Sequence, residues 1–418
     1  MSSGGSDAFD VLIVGAGHAG AQAAISLRQF GFAGSIGLIG EEAEPPYERP
    51  PLSKAYLAGE RSFDRLLLRP PEFWKDKAVR LLPSRRVTTV DPVRRTIGAS
   101  DGSPKAYGDL VWAAGGRARP LSCPGAHLAG VHSVRSRADV DALTADLEGA
   151  RHVAIIGGGY IGLETAAVLS QRRLSITLFE AEDRLLARVS GGPVARFFED
   201  EHRARGIDIR LGARVECLTE DAGRVTGVRL AGGEWSPAEV VIVGIGILPE
   251  VQPLKAVGAL GENGVDVDDQ GRTSLDHVYA AGDCAARRSR FAGPERVRLE
   301  SVQNATDQAT AIARRLCGLP TEPETPPWFW SSQYDLKLQS VGLSARADDF
   351  VVRGDPSTRS FSVIYFRQGA VVALDCVNAV RDFVQGKALV AAGKPIDPAR
   401  AADPAVVLKT LMTDAAPS

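Results

Sequence analysis

Short unbroken apolar runs, each broken by a glycine-rich turn, set the pattern of this chain, and the pattern occurs twice. Val11-Leu12-Ile13-Val14 leads into Gly15-Ala16-Gly17-His18-Ala19-Gly20, then a helical stretch over residues 19–30, an apolar run at 36–39, and Glu41 just beyond it. Val153-Ala154-Ile155-Ile156 leads into Gly157-Gly158-Gly159-Tyr160-Ile161-Gly162, a helical stretch over 161–171, an apolar run at 176–179, and Glu180. Four-residue apolar runs bounded by glycine predict buried strands, and the longer periodic stretches predict helices. Each copy therefore predicts strand, tight turn, helix and strand, closed by an acid.

The rest of the chain sorts around these two copies. Leu110-Val111-Trp112-Ala113-Ala114-Gly115-Gly116 and Val240-Val241-Ile242-Val243-Gly244-Ile245-Gly246 are similar runs that end each half of a weak internal duplication. Residues 278–283 predict a short buried strand stopping at Asp283, and residues 304–316 a helix. The proline-rich residues 321–327 read as a linker. Strand-like runs at 350–352, 361–366 and 371–374 and a helix at 380–390 follow, with a frayed tail at 414–418. The expected architecture is α/β, with two Rossmann-like dinucleotide-binding domains and a small C-terminal α+β domain. The expected boundaries are 1–117 with 246–325, 118–245 as an inserted domain, and 326–418.

Composition narrows the class. A length of 418 residues fits two or three domains, and 44% apolar content is ordinary for a globular chain. A formal charge of −2 argues against a general nucleic-acid binder. No run is long and apolar enough to span a bilayer, and residues 1–10 lack a basic region and an apolar signal core. The five cysteines are scattered without a CxxC pair, and the six histidines show no metal-ligand spacing. The expectation is a cytoplasmic, reduced protein with no metal site and no membrane or nucleic-acid partner.

The glycines carry the first chemistry. In a strand–turn–helix unit the first allows the tight turn, the second admits a pyrophosphate to the backbone amides, and the third lets helix and strand pack closely. The helix N-terminus offers amides and a positive dipole end to the phosphates. A carboxylate at the next strand end accepts hydrogen bonds from a ribose diol. Two such units predict two bound dinucleotides, and electron transfer between them is the simplest use. The stretch Pro45-Pro46-Tyr47-Glu48-Arg49-Pro50-Pro51-Leu52-Ser53-Lys54 is stiffened by prolines. The residues alone leave two readings of Lys54: an ammonium beside a bound redox ring, or a surface lysine at a helix start.

Taken together, Gly15 to Gly20, Pro50-Pro51-Leu52-Ser53-Lys54, Gly157 to Glu164, Ala280-Ala281-Gly282-Asp283-Cys284, Glu300-Ser301-Val302-Gln303-Asn304-Ala305 and Pro327-Trp328-Phe329-Trp330-Ser331 carry a resemblance. The chain resembles the NADH-dependent, FAD-containing ferredoxin reductases of bacterial oxygenase systems, of the putidaredoxin reductase type, from about residue 9 to beyond residue 390. That resemblance implies a glutathione-reductase-like architecture. It implies that Gly15, Gly17, Ala19, Gly20, Glu41, Val87, Arg135, Asp283 and Val302 bind FAD, with Lys54 near its reactive face and Trp330 over its outer face. It implies that Gly157, Gly159, Tyr160, Ile161, Gly162, Glu180 and Gly246 bind NADH, with Glu164 on the nicotinamide side. Lys54, Glu164 and Trp330 would then be the catalytic set. The chain departs from the family at Ala114, where a threonine is usual, at Trp112, where a smaller aliphatic is common, and at Glu41, which is an aspartate in some relatives.

The implied reaction passes electrons from NADH through FAD to a [2Fe–2S] ferredoxin that feeds an oxygenase, foremost a cytochrome P450; a monomer is expected. Arg65, Arg69, Arg314, Arg315 and Lys409 are basic candidates for meeting an acidic ferredoxin. Glu180 favours a 2′-hydroxyl over a 2′-phosphate, with Arg172, Arg173 and Arg184 as nearby counterweights. A redox disulfide beside the first cradle is excluded, because no cysteine precedes Cys123. A ferredoxin-independent NADH oxidase and a redox sensor or scaffold resembling apoptosis-inducing factor remain as rival readings.

Overall fold

The computed structural model describes residues 8–412, so the expected frayed tail lies outside the described residues. The chain forms two compact units, each assembled from separated segments. One comprises residues up to Arg49, Phe63–Arg117 and Leu248–Glu324; the other comprises Pro50–Ser62, Ala118–Ile247 and everything from Thr325 onward.

The first unit is built on a seven-stranded sheet. Its order is Val79–Leu82, Ile36–Ile39, Ala8–Val14, Pro104–Trp112, Thr96–Ala99, Val87–Asp91, with Val278–Ala280 also pairing with Pro104–Trp112. The central strands are parallel, with Val11 opposite Ile36 and Asp109, and Leu110 opposite Val278. Alternation along a strand sends neighbours to opposite faces. Val11 and Ile13 pack with the helices His18–Gln29 and Val302–Leu316, whereas Leu12 and Val14 pack with Trp112, Val251 and Val265. Both faces are covered, which is why these strands read as unbroken apolar runs. The two helices meet through Ala23, Ala24, Ala305 and Ala309, small residues that allow close approach. Trp112 is buried and donates its indole N–H to the Glu250 carbonyl at 2.7 Å, so the large residue at that position is accommodated with its polar atom satisfied.

The second unit holds three sheets. A parallel sheet runs Asp208–Arg210, Ser175–Phe179, His152–Ile156, Val240–Val243, Val131–His132. A three-stranded antiparallel sheet runs Val215–Asp221, Arg224–Leu230, Trp235–Pro237. A five-stranded antiparallel sheet runs Trp328–Gln333, Leu336–Gly342, Ala370–Val377, Ser360–Arg367, Asp349–Asp355, with the helix Val380–Ala392 against it. Ser136 starts the helix Arg137–Asp146 with a capping box, exchanging bonds with Asp139.

Candidate functional site

The two glycine turns share one geometry. Gly15 and Gly157 have φ of +108° and +111°, the left-handed side that favours glycine. A Cβ on Gly15 would stand 2.2 Å from the Ala113 carbonyl oxygen, and one on Gly157 2.4 Å from that of Gly244. A Cβ on Gly20 would stand 1.8 Å from the Gly15 carbonyl oxygen, and one on Gly162 2.1 Å from that of Gly157. The first and third glycines are thus demanded by the chain's own backbone. The middle ones are not: Gly17 would meet only the Arg49 Nε at 4.0 Å, and Gly159 would meet nothing within 4 Å. Both are helix N-caps without a side chain to satisfy the first-turn amides. A phosphate-bearing ligand explains what packing does not, so the residues fit a dinucleotide in each cradle.

In the first unit Ala19 packs under Gly282, whose added Cβ would lie 3.2 Å from that of Ala19 and 3.6 Å from that of Ala305. Gly282 donates its N–H to Gln308 Oε1 at 2.7 Å, which fixes the turn leading to Asp283. Arg298 donates to the Asp283 carbonyl at 2.8 Å. Val302 is the first residue of its helix, capped by Ser301, which accepts from the Asn304 N–H at 3.1 Å. The structure therefore gathers Gly15, Gly17, Ala19, Gly20, Asp283 and Val302 at the carboxyl ends of the parallel strands, where ligands of such sheets bind. Glu41 is 65% exposed at its side chain and pairs with Arg86 at 3.3 Å. Val87 is buried at the start of its strand. Sequence reasoning missed Arg49, whose guanidinium sits beside Gly17 and pairs with Glu42, with Tyr47 also bonded to both. It is the sole cation of residues 45–53, and that isolation was the available signal.

In the second unit Glu180 Oε2 accepts the Gly158 N–H at 2.6 Å, and Oε1 accepts the Glu182 N–H at 2.9 Å. The acid expected to meet a ribose thus also ties the cradle to the strand end. Arg184 donates to the Ser190 and Ala187 carbonyls, and Arg172 to the Leu57 carbonyl, so both are committed to the backbone. Arg188, not singled out from the sequence, brings its guanidinium to within 3.6 Å of a Cβ built on Gly246, whose φ is +96°. Tyr160 stacks on Phe329 with centroids 4.5 Å apart, and burial pushes its phenol well above its usual range. Ile161 is 40% exposed at the head of the helix Tyr160–Leu169. Arg135 precedes the Ser136 cap and donates its backbone N–H to Asp139 at 3.1 Å.

Lys54 and Glu164 are brought together within this unit. The Lys54 ammonium lies 2.5 Å from Glu164 Oε2, with side-chain exposures of 20% and 2%. Ser53 donates to the same oxygen at 2.5 Å and Ser331 to Oε1 at 2.7 Å. A buried carboxylate is costly unless paired and hydrogen-bonded, and three donors meet that demand here. Trp330 is half-buried, 5.4 Å from Trp328 and 6.2 Å from Phe329 between ring centroids. The Lys387 ammonium stands over Trp328 at 4.5 Å, so that indole is half-covered rather than core. Of the basic candidates, Arg314 is paired with Glu322 at 2.8 Å, whereas Arg65, Arg69, Arg315 and Lys409 are exposed.

No disulfide links the five cysteines, and burial pushes the Cys284 thiol up to about 12, far from a reactive thiolate. Among the described residues no group of three or more potential ligands is placed to hold a metal, and no helix is long and apolar enough to cross a membrane.

Residues 9–309 match the pyridine nucleotide-disulphide oxidoreductase family and residues 328–412 the reductase C-terminal family. The chain is 57% identical to the 5,5'-dehydrodivanillate O-demethylase ferredoxin reductase subunit of a Sphingobium species, covering 96% of this chain and 98% of that one. Its fold matches the ferredoxin reductase for the CYP199A2 system of Rhodopseudomonas palustris with a TM-score of 0.92 and 41% identity, over 97% and 99% of the two chains. It matches the reductase in a covalent putidaredoxin reductase–putidaredoxin complex with a TM-score of 0.93 and 38% identity, over 96% and 98%.

Proposed function

The chain belongs to the pyridine nucleotide-disulphide oxidoreductase family, and from that membership we propose that it passes electrons from NADH through FAD to a [2Fe–2S] ferredoxin serving an oxygenase. The observation that carries this reading is the pair of cradles whose middle glycines have no packing reason of their own. The disulfide chemistry in the family's name has no counterpart beside the first cradle, since the first cysteine in the chain is Cys123. A protein-borne electron acceptor takes its place. The likeness to ferredoxin reductases supports a ferredoxin in that role.

When bound, the cofactors would supply the redox chemistry, a two-electron hydride from NADH and one-electron transfers from flavin to an iron–sulfur centre. The chain's residues bind and orient. Gly15, Gly17, Ala19 and Gly20 hold the FAD pyrophosphate, and Arg49 adds a partly buried cation that offsets phosphate charge. Asp283 and Val302 complete that site, with Glu41, Val87 and Arg135 as further FAD contacts. Gly157, Gly159, Tyr160, Ile161, Gly162 and Gly246 hold NADH. Glu180 pins Gly158 and disfavours a 2′-phosphate, while Arg188 is the cation that tempers that preference. Glu164 holds Lys54, which would supply the cation for a bound flavin, and Trp330 would be its aromatic cover. In this reading the protein is cytoplasmic and acts as a monomer.

The terminal oxygenase is foremost a cytochrome P450; similar reductases are named for the CYP199A2 system, an O-demethylase and a dioxygenase. The experiment is anaerobic NADH-driven reduction of a panel of [2Fe–2S] ferredoxins, with oxygen uptake measured in parallel. Rapid reduction of one ferredoxin supports the reading. Oxygen uptake without ferredoxin at the coupled rate supports an NADH oxidase instead.

A further inference from the structure

The second unit contains a line of buried polar groups that ends on the Lys54–Glu164 pair. The helix Tyr160–Leu169 carries Glu164, the strand Trp328–Gln333 carries Ser331 and Gln333, and the helix Gly192–Arg203 carries His202. Residues 331 and 333 are two apart on a strand, so they share one face. Tyr334 follows in the tight turn to Leu336–Gly342, held at φ +58°. Glu164, His202, Ser331 and Gln333 are all buried.

The hydrogen bonds have one consistent direction. Gln333 Oε1 lies 2.8 Å from His202 Nε2 and can only accept, so Nε2 carries the imidazole proton. His202 Nδ1 then accepts from the Tyr334 hydroxyl at 2.8 Å. Gln333 Nε2 donates to Ser331 Oγ at 3.2 Å. Ser331 donates its one proton at 2.7 Å to Oε1 of Glu164, an ionised carboxylate that can only accept. Every donor points toward Glu164. The amide in the middle transmits orientation rather than protons.

We propose that His202 and Gln333 are positioning residues for the Lys54–Glu164 pair, acting by locking the Ser331 hydroxyl onto the Glu164 carboxylate. This deepens the proposed function and rests on it for the effect on turnover. Without Gln333 the Ser331 hydroxyl is free to rotate. Glu164 then keeps only the donors on Oε2, and the direction in which it holds the Lys54 ammonium is no longer fixed. The imidazole suits this task because burial keeps it neutral, its pKa lowered to about 4. Its charged neighbours, Arg205 and Glu201, oppose one another in their effect on it, and Tyr334 faces it from the turn. Around Glu164 the facing groups are Lys54 and, on its own helix, the half-buried Tyr160.

Two substitutions of the same imidazole separate positioning from bulk. A glutamine amide nitrogen falls near Nε2 and keeps the donor to Gln333; an asparagine amide falls near Nδ1 and loses it. The variants are His202→Gln, His202→Asn and Gln333→Leu, made in the full chain loaded with FAD. The first readout is the acylation rate of Lys54 by an N-hydroxysuccinimide ester, followed by peptide mass spectrometry. The second is kcat and KM for NADH with ferricyanide as acceptor. Loss of one oriented bond to a buried charge corresponds to about a tenfold effect. His202→Asn and Gln333→Leu are expected to raise Lys54 labelling and to lower kcat about tenfold, with KM for NADH little changed. His202→Gln is expected to track the wild type on both readouts. Equal behaviour of His202→Gln and His202→Asn, or unchanged Lys54 labelling in Gln333→Leu, overturns the proposal. A wild-type protein without NADH-dependent turnover overturns the functional reading instead, and Lys54 labelling still decides the positioning.

Discussion

Replacing Gly159 by alanine separates what the fold needs from what the cofactor needs. Gly159 caps the helix Tyr160–Leu169 with φ −81°, a value any residue adopts, and nothing lies within 4 Å of where its Cβ would stand. The folded chain therefore bears only the exchange of glycine for alanine at an N-cap, on the order of 0.5 kcal/mol. For a chain of this size that lowers Tm by no more than about 2 °C. The dinucleotide bears the rest, because the pyrophosphate approaches the backbone most closely at the middle glycine. A methyl group there is expected to lower kcat/KM for NADH at least about tenfold, or roughly 1.4 kcal/mol, mainly through KM. Gly162→Ala is the contrast: its Cβ would sit 2.1 Å from the Gly157 carbonyl oxygen, so helix and strand must part and the chain is expected to lose its cooperative unfolding transition. Differential scanning fluorimetry and steady-state ferricyanide reduction read both effects. If Gly159→Ala keeps the wild-type KM for NADH, the argument from the unexplained glycine is refuted.

Other consequences follow from the same geometry. Glu164→Gln removes the anion from a 20%-exposed ammonium and leaves amide hydrogens facing Lys54 or Ser53, so stability in urea should fall by about 1–3 kcal/mol; a change under about 0.5 kcal/mol contradicts the reading. Glu180→Gln should narrow the NADH/NADPH ratio of kcat/KM, and an unchanged ratio rejects the ribose assignment; the further change Arg188→Ala should partly restore the preference. His202 is held neutral in the fold with a pKa lowered to about 4, while the unfolded chain binds its proton near 6.5. The unfolded state thus binds more protons between those values, so stability should decline as pH falls from about 6.5 toward 4, by up to about 3 kcal/mol from this group. Urea unfolding at a series of pH values should show a shallower decline in His202→Gln, and identical slopes would disprove the assignment.

The cradles were legible because their chemistry is local. Strand, glycines and helix follow one another within some thirty residues, and helix bounds expected at 19–30 and 161–171 are His18–Gln29 and Tyr160–Leu169 in the structure. The second helix stops earlier because the chain turns at Ser170 to reach Ser175–Phe179. The hairpin Val215–Asp221 with Arg224–Leu230 escaped notice because its exposed face is charged and breaks the apolar pattern. Leu336–Gly342 escaped for the opposite reason: a central strand whose alternation is interrupted by buried Gln339. Residues that act across sequence distance were the hardest to see. Nothing in the order of the chain ties residue 333 to 202 or to 164, and only folding makes one line of donors from them. Glu180 was read as a ribose acceptor, but its bond to Gly158 depends on a loop conformation that spacing does not encode.

The central claim is most directly tested by the visible spectrum of the purified chain under anaerobic titration with NADH. The account predicts one flavin per polypeptide, bleached by one equivalent of NADH and recoloured on adding oxidised ferredoxin. A colourless chain that takes up no FAD on reconstitution, or a flavin that NADH leaves oxidised, contradicts it.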